Sequence, residues 1–78
     1  MKIENFNIEQ FKKDFYEFFS IDKYNRDWSI KQFCKDYSIN EITLWRTLNG
    51  KHKNVNTNYH HICDLMGKRA SFYYLDSL

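Results

Sequence analysis

The sequence predicts an all-α fold of four to five helices, and three observations carry that prediction. β-hairpin signals are absent: the 78-residue chain has no Pro and only two Gly, Gly50 and Gly67. Residues that favour helix N-caps recur at Asn7, Ser29, Asn40 and Asn56. Behind each of them the apolar side chains return at helical rather than alternating spacing.

The first helix is expected from Ile8 to about Ser20. Asn7 caps it, with Gln10 three positions on, and Phe6 and Phe11 occupy the two flanking staple positions. Ile8, Phe11, Phe15 and Phe18 share its apolar face, with Phe19 beside them. A connector, Ile21 to Asp27, follows. Ser29 repeats the capping arrangement with Gln32, and Trp28 and Phe33 form its staple, so the second helix covers Ile30 to Tyr37. Asn40, flanked by Ile39 and Leu44, opens a third helix from Glu41 to about Asn49. Gly50 suits the left-handed residue that ends it. After the polar stretch Lys51-His52-Lys53-Asn54, a fourth helix starts near Asn56 or Thr57. It carries Tyr59, Ile62, Cys63 and Met66 on one face and stops at Gly67. In the last nine residues, Phe72, Leu75 and Leu78 fit a short helix, whereas Tyr73 with Leu75 fits a strand. The helix is preferred, as a segment that packs on the core or on a second copy of the chain.

Length permits one domain, 1–78, and not two. Two cysteines, Cys34 and Cys63, are too few for a disulfide framework, so helix packing or dimerisation is the expected staple. The aromatic share of 19% argues against disorder. No apolar run approaches the ~18 residues of a membrane span, and the start, Met1-Lys2-Ile3-Glu4-Asn5, has no signal-peptide core. A cytoplasmic protein with reduced thiols is the expectation.

The central feature is the pair of short helices at 29–37 and 41–49. A helix-turn-helix needs an apolar residue followed by a small one in its first helix, and Phe33-Cys34 meets that. It needs an inward apolar residue closing the turn, met by Ile39, and another five positions on, met by Leu44. Leu48 continues the inner face and Gly50 ends the helix.

These residues resemble the phage Cro/repressor-type helix-turn-helix family, whose fold is lambda-repressor-like. The stretch Ile39-Asn40-Glu41-Ile42-Thr43-Leu44-Trp45-Arg46-Thr47-Leu48-Asn49-Gly50 is similar to that family's turn and recognition helix. Within it, Thr43 to Leu48 most resembles the variant in small antidote-type regulators of toxin–antitoxin modules. Ile62-Cys63-Asp64-Leu65-Met66-Gly67 looks like the family's next helix and its stop. The chain departs from the pattern at Ser38, where the family often has Gly, and at Ile30, where a phosphate-gripping Gln is common. The Pro common before the fourth helix is also missing. The resemblance implies a duplex-DNA-binding regulator, a homodimer on an inverted-repeat operator, and for the antidote-type relatives a protein partner such as a toxin.

Charge points the same way. Residues 1–30 carry five basic and six acidic side chains, whereas residues 31–69 carry seven basic and three acidic. The positive excess lies on the two short helices and the segments after them. The candidate DNA-binding residues are Ser29, Lys31, Asn40, Glu41, Thr43, Arg46, Asn49, Lys51 and Lys53. Arg46 can pair with two acceptors of guanine or hold a phosphate, and Asn40 can pair with adenine, although its cap role competes. Glu41 can accept from cytosine N4 or only favour the helix N-terminus, and Thr43 can touch a thymine methyl. Lys31, Lys51, Lys53 and Ser29 are phosphate candidates. Trp45 is assigned to packing in preference to the groove-facing surface.

Other chemistries fare worse. His60 and Cys63 are three apart on one helix, but no paired CxxC or HxxxH spacing exists, so no metal is expected. No Gly-rich phosphate loop, paired-carboxylate motif or nucleophile elbow is present, so neither an enzyme nor a cofactor is expected. The Phe11, Phe15, Phe18, Phe19 stripe with Tyr16 reads as core rather than a base-stacking platform. The expected function is a sequence-specific DNA-binding repressor of a phage or mobile-element operon. The alternative is a protein-interaction module on the same scaffold, an antitoxin or small phage-encoded inhibitor, because the aromatics of the first 28 residues and the tail exceed what a small core requires.

Overall fold

The computed structural model describes residues 1–26 and 29–75, with the side chains of the first helix described as far as Ile21. It is mostly helical. Four α-helices follow in order, α1 Ile8–Arg26, α2 Ile30–Asp36, α3 Glu41–Leu48 and α4 Thr57–Leu65, with 3-10 turns at Ile3–Asn5 and Ala70–Tyr73. Among the described residues there is no strand, only two isolated bridges.

The caps form as their residue types dictate. Asn7 Oδ1 accepts from the Gln10 N–H at 3.1 Å, and Ser29 Oγ from the Gln32 N–H at 3.2 Å. Asn40 Oδ1 accepts from both Ile42 and Thr43, and Asn56 Oδ1 from Asn58. The reciprocal half of the capping box does not form. Gln10 and Gln32 instead turn their side-chain amides down the helix and donate to Asp14 and Asp36, each at 2.7 Å, and the Asn7 N–H that Gln10 would have accepted donates to the Tyr73 carbonyl at 2.7 Å. The Phe6–Phe11 staple stands, edge to face at 5.3 Å. The Trp28 half of the second staple lies outside the described residues.

α2, α3 and α4 all end in the same hydrogen-bonded stop. Two residues past the cap-closing turn, the N–H of Ile39, Lys51 and Lys68 donates to the carbonyl of Cys34, Arg46 and Cys63, at 2.8, 2.9 and 2.9 Å. This motif needs a left-handed residue in between. Gly50 (φ 63°) and Gly67 (φ 73°) supply it as expected, and Ser38 supplies it at φ 55° without a glycine.

Two expectations need correcting. The first helix does not end at Ser20: it continues to Arg26, because Ile21 to Arg26 contains no Gly or Pro to stop it. Asp27, the last residue of the expected connector, is outside the described residues. The tail is neither the preferred α-helix nor a plain strand. It makes one 3-10 turn over Ala70–Tyr73 and then runs extended, where Tyr74 bridges Phe6 and the Leu75 N–H donates to the Asn5 carbonyl. Leu78 lies outside the described residues.

The core is largely aromatic. Phe6, Phe11, Phe15, Phe33, Tyr59 and Tyr73 are buried, with Phe19, Leu44, Leu48 and Ile62 completing it. Phe15 meets Phe33 edge-on at 5.4 Å, joining α1 to α2, and Phe11 meets Tyr59 at 5.7 Å, joining α1 to α4. Buried hydroxyls find partners. The Tyr73 hydroxyl donates to Asp14 Oδ2 at 2.8 Å, and Thr47 Oγ1 donates to the Thr43 carbonyl at 2.7 Å. Residues 1–7 lie between two partners: Ile3 and Met1 bond to Lys53 and Val55 on one side, and Asn5 and Asn7 bond to Leu75 and Tyr73 on the other.

Candidate nucleic-acid interface

α3 is positioned from inside. Leu44 and Leu48 are buried beside Thr47, against residues of α1, α2 and α4. At 3.6 residues per turn this inner face leaves an outward arc of about 140°. Glu41, Ile42, Trp45, Arg46 and Asn49 occupy it, the first four of them exposed.

The nine residues singled out by sequence do not all reach this arc. Glu41 and Arg46 lie on it, exposed. Asn40 sits at its N-terminal end, but its Oδ1 is committed to two backbone N–H groups at 2.9 and 3.2 Å, which leaves only its NH2 as a donor to a ligand. Thr43 is half-buried on the flank of the inner face. Asn49 is engaged at both ends: its Oδ1 accepts from Lys12 Nζ at 2.8 Å and its Nδ2 donates to the Trp45 carbonyl at 2.8 Å. It fastens α1 to the C-terminal end of α3, where the Lys12 cation also suits the helix dipole.

Two flanks complete the surface. Ser29 and Lys31, exposed at the start of α2, bracket Ile30, which shares a shallow hollow of about 70 Å³ with Tyr16, Glu41 and Trp45. The start of α2 therefore lies beside the first turn of α3. Lys51 leaves the other end, tied through its N–H to the Arg46 carbonyl. Lys53 follows, exposed, with its carbonyl accepting from Ile3 at 2.9 Å. His52 between them turns inward, its Nδ1 2.9 Å from the Tyr59 hydroxyl.

Trp45 overturns its assignment to packing. It is 58% exposed and Ile42 is 61% exposed, because Leu44, Thr47 and Leu48 already complete the inner face. A search for polar residues passes over both. The signal that finds them is helix phase: position 45 lies 100° from Leu44 and on the same side as Glu41.

The titratable core groups behave as structural groups. Burial pushes the Cys63 thiol up to about 11 and the Tyr59 phenol up to about 12. Burial, with the Glu41 charge second, also raises Cys34. Raised thiols are poor nucleophiles and poor metal ligands at neutral pH. His60 and His61 are exposed while Cys63 is buried, so this trio does not converge. Among the described residues no group of three or more His, Cys, Asp or Glu side chains is placed to hold a metal ion. Among them, too, no helix is long and apolar enough to cross a membrane. Comparison with protein-family models, with curated proteins and with solved structures finds no match to this chain.

Proposed function

We propose that the chain is a sequence-specific duplex-DNA-binding transcriptional regulator of the phage Cro/repressor helix-turn-helix type. It acts as a homodimeric repressor of a short phage or mobile-element operon. The observation that carries this reading is the presentation of α3: seated by Leu44 and Leu48, it turns a continuous arc outward, with Lys51 following its C-terminal end and Lys31 exposed on the neighbouring start of α2. With side chains an α-helix is about 10–12 Å across, which the major groove, about 12 Å wide, admits.

In this reading α2 braces and α3 enters the groove. Arg46 donates to a guanine or a phosphate, Glu41 accepts from cytosine N4, and Lys31, Lys51 and Lys53 neutralise phosphates. The Ser29 hydroxyl, already accepting from Gln32, retains its proton to donate to a phosphate oxygen. Two subunits double the phosphate contacts, which a chain of net charge +2 needs for useful affinity. Bound protein represses by occluding polymerase.

Selection from a randomised duplex pool, at near-physiological salt with competitor DNA, tests the proposal. Enrichment of an inverted repeat with half-sites about one helical turn apart, ~34 Å, is the expected result. A folded protein that enriches no sequence overturns it.

One observation favours a second reading, a protein-interaction module such as an antitoxin or small inhibitor. Phe72, Tyr74 and Leu75 are exposed together where the chain pairs with residues 5–7. Under that reading, Tyr74→Ala abolishes function while Arg46→Ala preserves it.

A further inference from the structure

We propose that Ile42 and Trp45 are specificity-determining residues that read the C5-methyl groups of two neighbouring thymines in the major groove. This rests on the DNA-binding reading above and assigns two residues that the polar reading of α3 left out.

Neither side chain is needed to seat the helix. Leu44, Thr47 and Leu48 are buried at 2% exposure or less, whereas Ile42 and Trp45 stand 61% and 58% exposed. Two large apolar side chains three residues apart on one helix face give α3 an apolar patch that a partner can cover. The covering partner has to meet charge as well, because Arg46 and Glu41 share the arc, Lys51 follows its C-terminal end and Lys31 stands exposed on the start of α2. A duplex major groove meets both demands. Phosphates line its edges, and its one apolar feature is the thymine methyl.

Spacing agrees. Ile42 and Trp45 are three residues apart, so their Cβ atoms are neighbours about 5–6 Å apart on the helix surface. Successive base pairs rise by about 3.4 Å, so two side chains at this spacing reach methyls on adjacent or next-adjacent pairs. Trp45 also lines the hollow that Tyr16 and Ile30 share. The role first given to Thr43 thus passes to its neighbours, because Thr43 lies half-buried on the inner flank.

The experiment uses the intact chain and the duplex recovered from the randomised pool. Each thymine is replaced in turn by uracil, which removes only the methyl group, and the Kd is measured for the native protein, Ile42→Ala and Trp45→Ala. Native protein is expected to lose about fourfold at each of two neighbouring thymines per half-site, the worth of one buried methyl. Ile42→Ala erases the loss at one position and Trp45→Ala at the other. Both variants are expected to keep the native thermal midpoint, since the replaced side chains are exposed. Equal affinity for every uracil duplex, or losses that persist in both variants, overturns the methyl reading and leaves DNA binding standing. Enrichment of no duplex overturns both and gives the exposed pair to a protein partner.

Discussion

α3 and α4 are built alike and finished differently. Both open on an asparagine cap, both close on a left-handed glycine, and both bury three side chains. Inward they are interchangeable in kind: Leu44, Thr47 and Leu48 in one, Tyr59, Ile62 and Cys63 in the other. Outward they diverge. The exposed residues of α4 are Thr57, His60, His61 and Asp64, all polar, as a solvated face should be. Those of α3 include Ile42 and Trp45. The inner faces already do the packing, so the difference lies wholly on the outward surfaces.

The largest expected effect tests the likeness of the inner faces. Leu48→Ala and Ile62→Ala, each at a residue 2% exposed, should both lower unfolding free energy by about 2–5 kcal/mol in urea titrations. A large loss in one helix only would break the comparison at its base.

The next effect separates the inner faces by titration. Cys63 ionises near its ordinary value of 9.0 in the unfolded chain but only at about 11 when folded. The folded state holds the proton more tightly, so stability is intact below pH ~9 and lost as pH rises towards ~11, by about 2 kcal/mol. Tyr59, raised to about 12, extends the loss in the same direction. Denaturation midpoints followed from pH 8 to 11 should fall, and the fall should be shallower in Cys63→Ala. α3 buries no titratable side chain, so variants of its inner face should retain the full native slope.

Arg46→Ala addresses the outward faces. On the selected duplex it should cost about 1–3 kcal/mol of binding free energy with no change in thermal midpoint. His61→Ala, on the outward face of α4, should change neither quantity. Equal losses would mean that the exposed face of α3 has no privileged role.

The caps give a smaller contrast. Asn40 Oδ1 accepts two backbone N–H groups and Asn56 Oδ1 accepts one. Asn40→Ala should therefore destabilise more than Asn56→Ala, both within about 0.5–2 kcal/mol by chemical denaturation. The smallest effect concerns the stop of α2. Ser38→Gly relieves a side chain held at φ 55° and should raise stability by about 0.5 kcal/mol, because the extra freedom of glycine when unfolded offsets part of the gain.

What was legible in the sequence was local. Asn7, Ser29, Asn40 and Asn56 announce helix starts because a short polar side chain satisfies donors two or three residues away. Gly50 and Gly67 announce stops because only a residue without a Cβ takes a positive φ at little cost. Phe11, Phe15 and Phe19 return at helical spacing, and the inner face of α3 follows from Leu44 and Leu48 in the same way. The failures are equally physical. α1 overran its expected end because neither Gly nor Pro interrupts it, and Gln10 turned to Asp14 because the Asn7 N–H it would have accepted is taken by the distant Tyr73 carbonyl. The tail depended on residues some seventy positions away. Within the candidate site, Glu41 and Arg46 were found by polarity. Trp45 was assigned to packing and Ile42 to nothing, because only polar side chains were weighed for the outward face, and Asn49 gave no sign that Lys12 would hold it.

The pairing of residues 1–7 with both 53–55 and 73–75 has a consequence in time. Ile3 cannot meet Lys53 until the chain has been made past both α2 and α3, and Asn5 cannot meet Leu75 until nearly all of the 78 residues exist. Closing loops of that length costs entropy that helix formation alone does not return. Residues 1–7 are therefore among the last to be fixed. On a ribosome the helices can form in order while the aromatic ring of Phe6, which meets Phe11, Tyr59 and Tyr73, waits for its final partner.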